Sequence, residues 1–284
     1  MLNERIGPTT ARFAVLGASL PHTWSPYIHN SLFDAAKIDA IYVPITVSSE
    51  RLASAVDVFR SCFAGFNITI PYKEKIIPYL DEIDGAVSAC GAVNTVEIRD
   101  GRMIGHITDG LGMLRAIEEQ GITTKQADVL ILGSGGAARV AGYEFLAKGG
   151  RVTFAVRNKQ KGEELVRELA DTQKDGHHRL SVCSLNDCAG AHDLLINCTP
   201  VGMYPYSDAC PVGGEIRCRA VFDAVYNPRE TRLLALAKQK GIPAIEGLGM
   251  LFYQAVEAQE FWFGHKIAPQ AEQNRIYSEL KAYL

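Results

Sequence analysis

Apolar runs of strand length alternate with helical patterns through the first part of the chain. Strands are predicted at 12–16, 41–47 and 64–70, and helices at 25–36 and 50–60. This alternation favours an α/β domain.

Short polar signals mark the boundaries of these elements. Ser25-Pro26 predicts a helix start, with Ser25 as the N-cap and Pro26 at the first helical position. Asp100-Gly101 lies between apolar runs at 93–98 and 103–108, which predicts a β-hairpin. A helix over 111–119 then leads into a second domain.

The second part repeats strand–helix units and predicts a parallel, doubly wound sheet of the Rossmann type. Two further helices, 250–263 and 270–284, follow the sixth strand, and we expect them to return to the first domain. The predicted domains are 1–110, 111–246 and, for the returning helices, 247–284. A G-x-G-x-x-A turn at 133–138 makes 111–246 the predicted cofactor domain, which leaves 1–110 as the substrate-binding domain. The predicted strands of the cofactor domain are 129–132, 152–156, 180–183, 194–197, 221–225 and 243–245, with its plainest helices at 162–170 and 231–240.

A glycine turn follows the first strand of the cofactor domain, within VLILGSGGAAR at 129–139. Gly133 permits a tight turn, Gly135 lets backbone N–H groups approach a pyrophosphate, and Ala138 lets the helix lie close to the strand. The pattern follows a strand and precedes a helix, which is the context of a dinucleotide site. The alternative is a tight strand–helix turn that binds no ligand.

Cations follow the next strand of that domain. The strand ends in Arg157-Asn158-Lys159-Gln160-Lys161, where an NAD site usually has a carboxylate for the ribose 2′-hydroxyl. Arg157 suits the 2′-phosphate of NADP through its planar fork. The sequence therefore predicts NADP, and a solvated charge run is the alternative.

Composition excludes several classes of partner. Hydrophobic residues make up 47% of the 284 residues and charged residues 21%, which is typical of a soluble globular protein. A net charge of −3 predicts neither nucleic-acid nor membrane binding. The seven cysteines form no C-x-x-C pair, so we expect reduced thiols, no metal and a cytoplasmic location.

Polar clusters stand at predicted strand ends of the first domain, where α/β proteins bind their ligands. They are Pro21-His22-Thr23-Trp24-Ser25-Pro26, then Asn67-x-Thr69-x-Pro71-x-Lys73, then Gly91-Ala92-Val93-Asn94-Thr95, and finally Thr108-Asp109-Gly110.

With these clusters in place, the chain resembles the shikimate dehydrogenase family from end to end. The first loop resembles the family motif HSxSP, and FNITIPYKE resembles the motif NVTxPxK. GAVNT is identical to the family's GAVNT, and GHITDG resembles its GxNTDG. In the second half NCTPVGM, DAVYNPRETRLL and GLGMLFYQA resemble NATPxGM, DxxYxPxxTxLL and GxxMLxxQ. The chain departs from the family at Thr23, where Ser is commoner, and at Ile107 and Val156, where Asn is usual.

The resemblance implies a catalytic pair, Lys73 and Asp109. Ketone reduction needs a proton donor at the forming alkoxide, which the Lys73 ammonium can supply while the Asp109 carboxylate orients it and keeps it charged. Without the motif, the alternative interpretation is that Lys73 is a surface lysine and Asp109 a helix N-cap.

The resemblance also implies the residues that hold the substrate and the cofactor. Thr23, Ser25 and Tyr226 would hold the substrate carboxylate, and Thr69, Asn94 and Gln254 its ring hydroxyls, since hydroxyl and amide groups both donate and accept. The local alternatives are capping for Ser25 and a turn for Tyr226. The cofactor residues would be Gly133, Ser134, Gly135, Gly136, Ala137, Arg157, Asn158, Lys159 and Gly247.

The implied activity is the NADP-dependent reversible reduction of 3-dehydroshikimate to shikimate, a step towards chorismate and the aromatic amino acids. The alternative within the family is a quinate/shikimate dehydrogenase with broader substrate and cofactor use. A non-catalytic NADP-binding regulator is the alternative of another class, but Lys73 and Asp109 both remain. We expect a monomer or homodimer.

Overall fold

The computed structural model describes residues 6–173, 175–185, 190–213 and 216–283. The chain forms two compact units, one of Met1–Thr108 with Gln254–Leu284 and the other of Asp109–Tyr253. The end of the chain therefore belongs to the same unit as its beginning.

A mixed six-stranded sheet forms the centre of the first unit, in the order β2-β1-β3-β5-β6-β4. Strands β1, β2 and β3 are parallel, whereas β5 is antiparallel to both β3 and β6. The strands are β1 (Ala11–Gly17), β2 (Ala40–Thr46), β3 (Gly65–Ile68), β4 (Glu82–Ile83), β5 (Thr95–Arg99) and β6 (Arg102–His106). The helices of this part are α1 (Ser25–Ala36), α2 (Leu52–Cys62) and α3 (Gly85–Cys90).

The Asp100-Gly101 hairpin is confirmed. Arg99 pairs with Arg102 across the turn, and the two residues between them have φ values of 53° and 75°. Positive φ at both turn positions is the conformation that Asp-Gly favours.

Ser25 is not the N-cap of α1, so that prediction was wrong. Trp24 is the N-cap, Ser25 is the first helical residue, and no side chain caps the helix. The chain enters the helix one residue early because the Trp24 backbone is already helical, and its carbonyl accepts a hydrogen bond from the Ile28 amide at 3.1 Å.

The two helices at the end of the chain pack against elements of the first unit. They are α8 (Leu248–Phe263) and α9 (Gln270–Tyr283). Near the end of α8, the Trp262 ring lies 4.5 Å from that of Phe13, and its indole N–H donates to the Val96 carbonyl at 3.0 Å. The α9 residue Glu279 accepts a hydrogen bond from the Tyr27 hydroxyl of α1.

A six-stranded parallel sheet forms the second unit, in the order β12-β11-β10-β7-β8-β9. This is the strand order of a Rossmann fold, with the first strand, β7, beside the point where the order reverses. The strands are β7 (Asp128–Leu132), β8 (Arg151–Val156), β9 (Leu180–Ser184), β10 (His192–Asn197), β11 (Cys218–Asp223) and β12 (Ala244–Glu246). The helices are α4 (Asp109–Glu118), α5 (Gly136–Ala147), α6 (Lys159–Ala170) and α7 (Arg232–Gln239), together with the start of α8.

Candidate active site

One edge of the first sheet carries most of the predicted substrate residues. The parallel strands β1 and β3 end there, and the antiparallel β5 begins there, because Asn67 pairs with Thr95. Strand β6 also ends at this edge, since His106 pairs with Thr95. The sheet thereby gathers the segments that hold Thr69, Lys73 and Asn94.

Lys73 lies in the turn that follows β3. Two hydrogen bonds hold this turn in place. The Thr69 amide donates to the Leu16 carbonyl at 2.9 Å, and the Tyr72 hydroxyl donates to the Val47 carbonyl at 2.6 Å. The Lys73 carbonyl accepts from the Val93 amide at 2.8 Å, which ties this turn to the residue before Asn94. The Lys73 side chain is half-buried.

Asn94 is a buried junction of hydrogen bonds. Its Oδ1 accepts from the Thr108 amide at 2.8 Å, and its Nδ2 donates to the Thr108 hydroxyl at 3.0 Å and to Gln254 Oε1 at 3.4 Å. Two of the predicted ring-hydroxyl residues, Asn94 and Gln254, are therefore in direct contact. Both are almost completely buried.

A second buried group, Tyr42 and Asn67, links Asn94 to Ser25. Asn67 Nδ2 donates to the Asn94 carbonyl at 3.1 Å, while its Oδ1 accepts from the Tyr42 hydroxyl at 2.7 Å. Burial raises the pKa of Tyr42 well above its ordinary value, and a hydrogen bond with Ser25 opposes that shift. Tyr42 is thus a neutral phenol that joins the Ser25 hydroxyl to the amide network.

His29 belongs to the packing around Tyr42. Its ring stacks on Tyr42 with centroids 4.1 Å apart, and burial lowers the pKa of His29 to about 3. Since that value lies far below neutral pH, His29 is uncharged there and stabilises the ring of Tyr42 by contact.

Thr23 and Ser25 lie on either side of the Trp24 N-cap. The Ser25 amide donates to the Thr23 hydroxyl at 3.4 Å, which brings these two predicted residues together. The Trp24 ring packs against the rings of Tyr27 and Tyr283, each with centroids 6.2 Å away. The loop that carries the two hydroxyls is therefore held in place by the contacts of the Trp24 ring with Tyr27 and Tyr283.

Two further predicted residues, Asp109 and Tyr226, belong to the second unit. Asp109 directly follows the buried Thr108 and is the first residue of α4. Tyr226 lies after β11 and is 42% exposed. Ile107, where the family has Asn, is buried and 2% exposed, so it contributes to the apolar interior.

The glycine turn of the second unit has the backbone that an anion site needs. Gly133 has a φ of 108°, and a Cβ there would lie 3.1 Å from the Thr199 side-chain methyl group. A Cβ at Gly135 or Gly136 would meet nothing within 4 Å, so the backbone at the start of α5 is open to a ligand. The residues present therefore fit a pyrophosphate at a helix N-terminus.

A cavity of about 750 Å³ opens beside this turn. Gly133, Ser134 and Gly135 line it together with Arg157 and Lys161 from the end of β8 and the start of α6. Both cations are exposed. A cavity with a glycine turn at one side and cations at another suits the phosphates of NADP.

Three predicted cofactor residues also have a local structural explanation. Asn158 caps α6 by accepting from the Lys161 amide at 3.2 Å, and Lys159 lies 3.7 Å from Glu163 in an ion pair on the same helix. Gly247 packs so closely that a Cβ would lie 2.6 Å from the Ala224 carbonyl oxygen. These contacts are compatible with cofactor binding but do not require it.

Several residues that line the cavity were not predicted from the sequence. Thr199, Pro200 and Val201 come from the loop after β10, and Tyr204 and Tyr206 follow in the same loop. The NCTPVGM motif was the signal for this loop, although none of its residues was assigned a role from the sequence.

Neither a metal cluster nor a membrane-spanning helix is found among the described residues. In those ranges no group of three or more His, Cys, Asp or Glu side chains is placed to hold a metal ion. Six cysteines are free thiols, and Cys188 lies outside the described residues. Of the helices in the described ranges, none has the length and apolar character that a membrane crossing requires.

The Rossmann sheet, the glycine turn and the cation-lined cavity together define a dinucleotide-binding α/β protein. Comparison with known proteins identifies the family of this chain. A family model for the shikimate dehydrogenase substrate binding domain matches residues 15–96. The shikimate dehydrogenase (NADP(+)) of Methanocaldococcus jannaschii is 37% identical over 280 residues, which covers 97% of this chain and 99% of that protein.

Solved structures agree with this relationship. The shikimate 5-dehydrogenase of Thermus thermophilus in complex with NADP(H) and shikimate has a TM-score of 0.84 and 31% identity, covering 95% of this chain and 99% of that one. The Listeria monocytogenes enzyme in complex with shikimate and NAD has a TM-score of 0.89 and 29% identity, covering 98% and 99%. The chain belongs to the shikimate dehydrogenase family and is an NADP-dependent oxidoreductase.

Proposed function

We propose that this protein reduces 3-dehydroshikimate reversibly to shikimate, with Lys73 and Asp109 as its catalytic residues. The observation that carries the proposal is the polar edge of the first sheet, where the Lys73 turn is hydrogen-bonded to the segment of Asn94. The curated relatives, named for shikimate and NADP(+), support the same substrate and cofactor. The reaction is a step in the biosynthesis of chorismate and the aromatic amino acids.

Proton transfer is the task of Lys73. NADPH, when bound, would supply a hydride to the carbonyl carbon of the substrate, and the carbonyl oxygen would then need a proton. The Lys73 ammonium donates that proton or stabilises the developing alkoxide, and the Asp109 carboxylate orients the ammonium. In the oxidative direction Lys73 accepts the proton again.

Substrate recognition is divided between two groups of hydroxyls and amides. Thr23, Ser25 and Tyr226 hold the carboxylate, to which each can donate one hydrogen bond. Thr69, Asn94 and Gln254 hold the ring hydroxyls. The contact between Asn94 and Gln254 supports a shared role for these two amides.

Cofactor recognition follows from the turn and the cations. The backbone of Gly133, Ser134, Gly135, Gly136 and Ala137 would hold the pyrophosphate, and Arg157 the 2′-phosphate, with Asn158, Lys159 and Gly247 as the remaining members of the set. The position of Lys161 on the cavity wall supports adding it to this set.

Steady-state rates with shikimate and quinate, each with NADP and NAD, test the proposal. We expect the highest kcat/KM for shikimate with NADP. Turnover of neither substrate would contradict the proposed reaction, whereas comparable efficiency on quinate would favour the quinate/shikimate alternative. The relatives named above support the shikimate reaction and do not support that alternative. A cytoplasmic location and a monomeric or homodimeric state stay predictions.

A further inference from the structure

Two motifs of the second unit, NCTPVGM and DAVYNPRETRLL, contain polar residues to which the proposed function gives no role. They are Asn197 at the end of β10, Asp223 at the end of β11 and Thr231 before α7. Asn197 and Asp223 are completely buried, and Thr231 is 1% exposed. Most buried polar groups of this kind are hydrogen-bonded, because an unpaired one costs free energy.

The Asp223 carboxylate binds three donors from three different segments. Its Oδ1 accepts from Asn197 Nδ2 at 2.8 Å and from the Val225 amide at 3.0 Å. Its Oδ2 accepts from the Thr231 hydroxyl at 2.6 Å. The two carboxylate oxygens therefore serve different purposes: Oδ1 fixes two loops, and Oδ2 fixes the start of a helix.

Asn197 carries the effect of Asp223 to the wall of the cavity. Asn197 Oδ1 accepts from the Thr199 amide at 3.0 Å and from the Thr199 hydroxyl at 2.7 Å, and its Nδ2 donates to the Val201 carbonyl at 3.2 Å. Thr199 and Val201 both line the cavity, and the Thr199 methyl group lies against Gly133 of the glycine turn.

Val225 connects Asp223 to Tyr226. The bond from its amide to Oδ1 fixes the backbone directly before Tyr226. A further bond, from the Tyr204 amide to the Asn227 carbonyl at 3.2 Å, connects the cavity loop with the residue after Tyr226. The two loops are thus joined both beneath and beside Tyr226.

We propose that Asp223 is a positioning residue for both ligands: through Asn197 it fixes the cavity wall at Thr199 and Val201, and through Val225 it fixes the backbone that presents Tyr226. The inference rests on the proposed function, because it takes the cavity as the NADP site and Tyr226 as a substrate residue. Asp223 touches neither ligand in this role.

The test compares three variants by direct NADP titration of the enzyme, by KM for shikimate and by thermal unfolding. Asp223→Ala removes both oxygens and is expected to raise the Kd of NADP and the KM of shikimate by about tenfold or more, the factor that a free energy of 1.4 kcal/mol represents. Thr231→Val removes the donor to Oδ2 and, with it, the cap that the Thr231 hydroxyl provides by accepting from the Leu234 amide of α7. Asp223→Asn keeps an acceptor at Oδ1. Both are expected to lower the Tm while they change Kd and KM by less than about threefold.

Asn197→Ala keeps the experiment decisive if Asp223→Ala does not fold. It removes the bonds to Thr199 and Val201 but leaves those of Asp223 with Val225 and Thr231. We expect the Kd of NADP to rise by about tenfold while the KM of shikimate stays within about threefold of the wild-type value.

The outcomes separate the inference from the proposed function. Wild-type protein that binds no NADP would refute both. Wild-type protein that binds NADP and oxidises shikimate, with Asn197→Ala unchanged in Kd, would refute the inference alone. So would Kd changes in Thr231→Val as large as those in Asp223→Ala, because the carboxylate would then act only through stability.

Discussion

The polar edges of the two sheets differ in how they present their chemistry. The first edge consists of side chains that hold one another, in the series Ser25, Tyr42, Asn67, Asn94 and Gln254. The second edge presents a glycine backbone and exposed cations, with its polar side chains buried underneath.

This difference reflects the ligands. A neutral ring hydroxyl is recognised by donors and acceptors in fixed directions, and side chains that are bonded to one another provide them. A phosphate is recognised by charge and by backbone N–H groups, which a turn supplies without side chains. Changes at the first edge should therefore spread among neighbours, whereas changes of the exposed cations at the second edge should each act on one ligand group alone.

The largest expected effect tests the cooperative behaviour of the catalytic residues. Lys73→Ala and Asp109→Ala should each lower kcat by roughly 10²–10⁴, and the double variant should be little worse than the poorer single one. Lys75→Ala, an exposed cation two residues away, is the matched control and should be near wild type in steady-state assays. Near-normal turnover by Lys73→Ala would exclude the proposed mechanism.

The next effect tests whether Arg157, an exposed cation at the second edge, recognises the 2′-phosphate of NADP and nothing else. Arg157→Ala should raise KM for NADP by roughly 10- to 150-fold, equivalent to about 1.5–3 kcal/mol, and leave KM for NAD nearly unchanged. Arg151, exposed at the opposite end of β8, provides the control variant Arg151→Ala, which should change neither. Equal weakening with both cofactors would instead assign Arg157 to the fold of the turn.

Substrate choice sharpens the comparison at the carboxylate end of the first edge. Quinate carries a tertiary hydroxyl beside its carboxylate, and an unpaired buried hydroxyl costs about 1–3 kcal/mol. We expect the methyl group of Thr23, which Ser lacks, to crowd that position. The neighbouring Trp24 ring packs against the rings of Tyr27 and Tyr283. We expect kcat/KM for shikimate to exceed that for quinate by at least about tenfold.

Thr23→Ser should narrow this difference and keep shikimate turnover. An unchanged ratio in Thr23→Ser would show that the Thr23 methyl group does not decide the choice.

The smallest expected effect is a pH dependence of folding stability. Asp223 in the second unit should cause it, whereas the neutral Tyr42 network of the first unit should not. Burial raises the pKa of Asp223 above its ordinary value of 3.8, against hydrogen bonds from Thr231, Val225 and Asn197 that lower it. The facing Cys198 thiol adds no charge, because burial and Asp223 raise its pKa. The folded state therefore holds the Asp223 proton more tightly than the unfolded state does.

The contribution of Asp223 to folding stability should then fall as pH rises from 3.8 through the higher folded pKa, by at most about 1.4 kcal/mol per pH unit. The free energy of unfolding of wild type minus that of Asp223→Asn, measured by urea denaturation, should show this decline. Tyr42→Phe in the first unit should shift stability by an amount independent of pH over the same range. A wild-type advantage that grows with pH would mean that the hydrogen bonds outweigh burial.

Local patterns of the sequence determined most of the architecture. Period and length located nearly every strand, Asp100-Gly101 gave the hairpin, and the glycine turn with its flanking strand and helix gave the Rossmann unit. These features depend on residues close together in the chain, so the sequence expresses them directly. The two-residue β4 and the six-residue α3 were not predicted, because segments so short carry no clear period.

Only the tertiary structure decided which polar residues support one another. Ser25 is joined to Asn94 through Tyr42 and Asn67, Lys161 lines the cavity beside Arg157, and Asp223 collects donors from three segments. Each of these contacts joins residues on different strands and loops, or depends on which face of a helix a side chain occupies. The residue types alone allow many such pairings, and the order and direction of the strands select one.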